Sequence, residues 1–461
     1  MKKLLKWLAP FIGLILVVAA CSSSDTEETT TTTAGGSETA TTTASGGSET
    51  TAGMATCDGT IDDDTLTVWV HEGSEADAYE TLIEDFNASG AGVTVELTKV
   101  PEGGYTDAVN AAAAAGDLPD IIDFDGPTLA NFAWGGNIVS IDDCITDDVK
   151  SNLLPSIIQG GTYNDKLYSI GTFDSGLGLW AWKSALEEVG ARIPTGPADA
   201  WTADEFEKIL TDLQGAGYAN PLDIKIFYGT QGEWMTYGFS PIIQSAGADL
   251  IDRSTLKAEG VLNSPEAVGA LTTFQNWATS GLINMDAVDD TPFTSKESPI
   301  SWVGHWMYNT YKDAAGDDLI LLPLPDFGNG TRTGMGSWAW AVTSANTDGD
   351  AAWEFLKFAV ADDTILKITE ANGAVPSTKT ALAKSPNFAE GGPEYLFVEQ
   401  LEGAPNIAVP RPVTPGYPTV TSEFWGAMDK ILLGADVQST LDAAAKAIDD
   451  DVDANEGYPA P

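Results

Sequence analysis

The chain has 461 residues, too many for one hydrophobic core and suited to two lobes of about 200 residues each once its polar beginning is set aside. Its 22 basic and 68 acidic side chains give a formal charge of −46. So acidic a chain repels nucleic acid and anionic membrane faces, and its acid excess speaks for solubility or a saline habitat before it speaks for a cationic ligand.

At the start, Lys2, Lys3 and Lys6 precede the apolar run Trp7 to Ala20, a charged region followed by a stretch too short for a stable membrane span. That is the pattern of a secretory signal. The run ends Val18-Ala19-Ala20-Cys21, which resembles the bacterial lipobox; the resemblance implies that residues 1–21 are the signal and that Cys21 carries lipid, tethering the chain to the outer face of the cell membrane. Plain secretion with an incidental cysteine is the alternative. Residues 22–56 are almost wholly Thr, Ser, Gly, Glu and Ala, and this composition predicts a disordered linker. Cys57 and Cys144 remain. Outside the cytoplasm they are expected to pair, closing a loop worth about 4 to 5 kcal/mol in the chain-entropy model; two buried free thiols are the other reading. A zinc site would have only His71 and His305 to add.

Leu66 to Val70 reads as a strand, and Glu75 to Phe86 as a helix with Tyr79, Leu82, Ile83 and Phe86 on one face. A strand at Val93 to Val100, an alanine helix at Ala108 to Ala115, a strand at Asp120 to Phe124 and a helix at Gly126 to Trp134 continue the alternation. Such a βαβαβ order predicts a parallel sheet with right-handed crossovers. Gly171, Gly176 and Gly178 permit a change of direction. Thr202 and Glu205 have capping-box spacing, with Trp201 able to staple to Phe206, and Ser264-Pro265 starts a helix whose core face is Leu271, Phe274 and Trp277. From Ser298 to Trp340 come short apolar runs bounded by Gly, Pro or Asn, the signature of buried strands. Trp306 and Trp338 sit at strand ends, where a ring can offer its face and its indole N–H to a bound molecule or simply plug a core. Near the end, Asp451-Val452-Asp453-Ala454-Asn455 imitates a calcium loop, but Glu456 stands where the turn glycine belongs, so no metal site is expected.

Eight passages occur in an order that resembles the extracellular solute-binding proteins of the maltose-binding type. They are Gly116-Asp117-Leu118-Pro119-Asp120-Ile121, Tyr168 to Lys183, the helix start at Trp201, Gln244-Ser245-Ala246-Gly247, Gly304-His305-Trp306, Leu322-Pro323-Leu324-Pro325, Ala352-Trp353-Glu354-Phe355-Leu356, and Arg411-Pro412 through Trp425. The resemblance covers nearly all of the chain from Thr65 to Ile448. It implies an α/β fold of the periplasmic-binding-protein type II kind: two lobes with mixed sheets, three hinge crossings near Thr172, Pro299 and Thr343, and a ligand cleft between. Residues 57–172 with 300–343 are expected to form the first lobe, and 173–299 with 344–461 the second. Ala181-Trp182 and Gly247-Ala248 depart from the family's usual residues, which bears on the identity of the ligand.

A sugar is held by aromatic rings against its C–H faces and by carboxylates and amides that pair its hydroxyls; a hydroxyl left unpaired costs about 1 to 3 kcal/mol. The loop after the first strand offers Trp69, His71 and Glu72, and the loop after Phe124 offers Asp125 with Asp123 close behind. The resemblance adds Asp174, Trp234, Trp306, Trp338 and Trp425. Arg411, beside two prolines, either meets the ligand or clamps the hinge. The expectation is a lipid-anchored monomeric binding protein, without cofactor or catalysis, that captures a neutral carbohydrate and delivers it to an ABC permease by closing two lobes. A lipoprotein glycoside hydrolase, or the same fold holding an amino acid, polyamine or glycerol phosphate, stands as the alternative.

Overall fold

The structure, a computed structural model, describes residues 55–62, 64–73, 76–403 and 407–459. The expected signal, Cys21 and the linker up to residue 54 lie outside the described residues. Nine strands make two sheets: β1 Thr65–Glu72, β2 Thr94–Pro101, β3 Ile121–Asp125, β4 Ser169–Ile170, β5 Leu177–Trp182, β6 Leu222–Asp223, β7 Ile300–Gly304, β8 Leu319–Leu322 and β9 Trp338–Val342.

The first sheet has the order β2-β1-β3-β9-β4. β1 runs parallel to β2 and β3, as the βαβαβ alternation requires, while β9 enters antiparallel between β3 and β4. The second sheet has the order β8-β5-β7-β6, with β5 antiparallel to both neighbours and β7 parallel to β6. Both are therefore mixed sheets. Val68, Val70, Ile121, Ile122 and Phe124 are fully covered, which is why these strands read as apolar runs.

Helices cover the first sheet with the faces their spacing predicts. The helix Asp77–Ala88 buries Tyr79, Leu82, Ile83 and Phe86. Phe86 meets Phe355 and Phe358 of the helix Gly349–Ala359 at ring separations of 5.3 and 5.4 Å. In the second layer, Thr202 accepts a hydrogen bond from the Glu205 N–H and Trp201 stacks on Phe206 at 5.8 Å, so the N-cap and the staple form, while the Glu205 carboxylate is taken by Arg192 instead of completing the box. Ser264 caps the helix Pro265–Thr279 in the same way. Cys57 and Cys144 are joined by a disulfide.

The boundaries drawn from sequence need correction. The stretch 300–343, expected in the first lobe, is divided: β7 and β8 pair with β5 in the second sheet, and only β9 returns to the first. Between β4 and β5 the chain passes from the first sheet to the second. The crossings expected near Pro299 and Thr343 move: the chain returns between Leu322 and Trp338, then leaves again between the helices Lys379–Leu382 and Tyr395–Glu402. The helices Gly349–Ala359 and Asp362–Asn372 stay with the first sheet, against Asp77–Ala88, whereas Tyr417–Leu432 packs on Glu233–Ser245 and Val437–Ala454 in the second layer. Two ribbons mark the crossings, Phe173–Asp174 beside Val375–Pro376 and Thr333–Met335 beside Ala408–Pro410.

Candidate functional site

The C-terminal ends of β1 and β3 and the first residue of β9 open onto a cavity of about 620 Å³, a size suited to a small organic ligand. Its far wall comes from the helices Glu233–Ser245 and Tyr417–Leu432 and from the turn after β7. Both layers thus contribute.

On the first wall, His71 is buried and held by Asp123 of the adjacent strand β3. Asp123 accepts the His71 backbone N–H at 3.0 Å through one oxygen and stands 2.6 Å from Nδ1 with the other, which fixes the orientation of the ring. The imidazole lies flat against Trp338, with ring centroids 3.5 Å apart and planes 14° from parallel. Tyr105 closes edge-on at 5.6 Å from the same indole. Trp338 is therefore presented to the cavity by a fixed support.

On the second wall, Trp306 donates its indole N–H to the Tyr228 hydroxyl at 3.1 Å and meets Trp234 edge to face at 6.0 Å. Gly304 makes this possible, because a Cβ there would stand 2.1 Å from the Trp306 ring. Trp234 gives its own N–H to the Ile224 carbonyl at 3.0 Å. Both indole donors are thus satisfied within the protein, contrary to the expectation that Trp306 offers one to a ligand; what Trp306 brings to the cavity is ring surface.

Between the walls stands Arg411. Its guanidinium grips Asp125 through two hydrogen bonds of 2.8 Å, bonds Glu233 at 2.6 Å, and lies 4.7 Å from the Tyr237 ring centre. Glu233 also accepts the hydroxyls of Tyr417 and Thr421. Burial pushes the Glu233 carboxyl up, with Arg411 pulling against it. Burial likewise works against the Arg411 cation, yet Asp125 and Glu233 together hold its pKa well above the ordinary value. Each carboxylate is committed to the same guanidinium, so neither is disposed as the acid or nucleophile of a hydrolytic pair.

Of the residues singled out from sequence, His71, Asp125, Trp234, Trp306, Trp338, Arg411 and Trp425 line this cavity. Four others do not. Trp69 sits one pleat back from the end of β1, packed with Tyr105, whose hydroxyl bonds its carbonyl at 3.0 Å. Glu72 is exposed, next to His71 and therefore on the other face of β1. Asp123 lies behind His71. Asp174 belongs to the first crossing, where one of its oxygens accepts the N–H groups of Ser175 and Gly336 at 2.7 and 3.1 Å. Conversely, Glu233, Tyr237, Tyr417 and Thr421 escaped notice. Tyr417, Thr421 and Trp425 fall at intervals of four on one helix, so the stripe leading to the tryptophan was readable.

Residues 81–392 match the sequence model of a family described as bacterial extracellular solute-binding protein. The maltotriose-binding protein of Pyrococcus abyssi is 23% identical over 382 residues, covering 80% of this chain and 78% of the relative. The diacetylchitobiose-binding protein DasA of Streptomyces coelicolor is 24% identical over 350 residues, covering 70% and 78%. Among solved structures, the GacH receptor of Streptomyces glaucescens, described unliganded and in complex with acarbose, superposes with a TM-score of 0.72 at 21% identity, covering 86% of this chain and 98% of that one.

Proposed function

The chain belongs to the family of bacterial extracellular solute-binding proteins, and from that premise we propose that it captures a carbohydrate in the cavity between its two layers and hands it to an ABC importer in the membrane. The observation that carries this reading is the pairing, across one cavity, of Trp338 from the first sheet with Trp306 and Trp425 from the second layer. Flat apolar rings on opposing walls suit the C–H faces of a pyranose, and the cavity's carboxylates and hydroxyls suit its O–H groups. The two relatives named for their ligands are both named for oligosaccharides. Capture proceeds without chemistry: the sugar interacts better with the closed arrangement than with the open one and shifts the population toward it. The hydrolase reading is disfavoured by the commitment of Asp125 and Glu233 to Arg411.

The protein works outside the cytoplasm, and we place it there as a monomer held to the membrane by lipid on Cys21. Among the described residues no helix is long and apolar enough to cross a membrane. Replacing Cys21 by Ser is expected to move the protein from the membrane fraction to the medium; retention with the membranes would sink the anchor.

A thermal-shift and calorimetric screen against mono-, di- and trisaccharides tests the function. Specific binding raises the unfolding midpoint, since it stabilises the native form by mass action. Silence toward every sugar, with a response to an amino acid or polyamine, would transfer the site to the other ligand class.

A further inference from the structure

β6 ends at Asp223, paired with Ser301 of β7, and the chain then turns through residues 224–229 to bring Tyr228 to the cavity's second wall. Lys225 stands in that turn with φ +56°, a left-handed conformation that residues other than glycine seldom adopt, and its side chain is fully buried. Its ammonium lies 2.9 Å from Asp223 Oδ2, 2.5 Å from Asp290 Oδ1 and 4.9 Å from the centre of the Tyr311 ring. Asp223 also accepts the Lys225 backbone N–H at 2.9 Å and the Ser301 hydroxyl at 3.0 Å. One carboxylate thus holds both ends of the lysine and is itself fixed by β7.

A buried ion pair is a poor source of stability, since apolar side chains of like volume often serve as well, and a strained backbone adds to its cost. What the lysine fixes is the turn. The Ile224 carbonyl, just before it, accepts the Trp234 indole N–H at 3.0 Å, and its own carbonyl accepts the Tyr228 backbone N–H at 2.9 Å. The Tyr228 hydroxyl in turn accepts the Trp306 indole N–H at 3.1 Å, and the Tyr228 ring meets Trp234 edge to face at 5.5 Å. The indole donors of Trp234 and Trp306 therefore both end on this one turn. We propose that Lys225, which is not on the cavity wall, is the positioning residue of that wall: anchored between Asp223 and Asp290, it sets the turn that aims Trp306 and Trp234 at the C–H face of a sugar. The dependence of the two rings on Lys225 stands alone; its effect on sugar binding rests on the carbohydrate reading above.

Indole N–H NMR spectra of the full chain without sugar test the rings. Lys225→Met is expected to shift or broaden the Trp306 and Trp234 signals, assigned through Trp306→Phe and Trp234→Phe, while the signal of Trp134, on the helix after β3, stays in place. Unmoved Trp306 and Trp234 signals, or equal disturbance of all three, would overturn the proposal. Should Lys225→Met fail to fold, Asp290→Asn, whose carboxylate is partly exposed, loosens the same ammonium and decides by the same signals. Calorimetry with maltotriose reads the consequence for binding. Lys225→Met and Tyr228→Phe are each expected to weaken it several-fold, and the double variant little more than either alone, because both act through one turn; losses that multiply would refute the path through Tyr228. If maltotriose does not bind the wild type, the carbohydrate reading loses support, while the sugar-free spectra still decide the role of Lys225.

Discussion

Arg411 and Asp125 face each other in a two-point grip, both guanidinium NH₂ groups meeting both carboxylate oxygens at 2.8 Å. The pair ties the segment after the ribbon strand Ala408–Pro410 to the end of β3, and Glu233 extends the tie into the second layer. One arginine thereby fastens the crossing, the first sheet and the second layer together.

Arg411→Met strands two carboxylates beside each other without their counter-ion. Breaking a buried pair costs about 3 to 5 kcal/mol, and the partial exposure of Asp125 and Glu233 places this case near the lower bound. Urea unfolding measures the loss; a change under 1 kcal/mol would show that the tie is idle. Arg411→Lys keeps the charge but not the planar fork, so it recovers only part of the stability.

Trp306→Ala and Trp425→Ala remove half-buried rings that line the cavity. Each is expected to weaken sugar binding by about tenfold or more, the scale of a lost anchor contact, with a small change in melting temperature. Isothermal calorimetry reads this directly, and unaltered affinity in both variants would remove the rings from the site. Trp338→Ala is expected to do more, because His71 loses its stacking partner along with the ligand.

The disulfide Cys57–Cys144 spans 87 positions of sequence. Its removal in a Cys57→Ser/Cys144→Ser variant is expected to cost about 4 to 5 kcal/mol, less any strain released. Denaturation with and without reductant checks the figure. Wild type and variant that unfold at the same denaturant concentration without reductant would contradict it.

Glu394 is fully buried, and burial pushes its carboxyl up to about 9, with Asn387 acting weakly in the other direction. The folded chain therefore keeps a proton that the unfolded chain sheds near the ordinary carboxyl range. This group's contribution is complete at acid pH and declines as pH rises toward about 9, where the folded form also ionises. Glu394→Gln removes the decline. Its melting temperature relative to wild type should be level near pH 4 and increasingly favourable toward pH 9; a constant difference across that range would refute the assignment.

Much of this was legible in the sequence because it is local. The stripe Tyr79, Leu82, Ile83, Phe86 and the Thr202–Glu205 cap depend on neighbours within one or two turns, and both formed where spacing places them. Trp306 and Trp338 were visible for a related reason, as bulky rings beside glycines at strand ends, whereas Trp234 and Trp425 lie on helices and came only from the family resemblance. The assignment of strands to sheets was not legible. All five residues of β7 are buried, so its sequence carries no alternation to say which layer it joins, and it was given to the wrong one. Nor can composition separate a carboxylate that meets solvent, such as Glu72, from one that meets Arg411, such as Glu233, when their partners stand far away along the chain.

The position of β9 between β3 and β4 sets the order in which the molecule can be completed. A chain of which only the first 330 residues have been made still lacks the strand at positions 338–342 that joins β3 to β4. Pairing between segments so far apart along the chain pays its loop-closure entropy before any contact rewards it, so the first sheet is closed late and slowly.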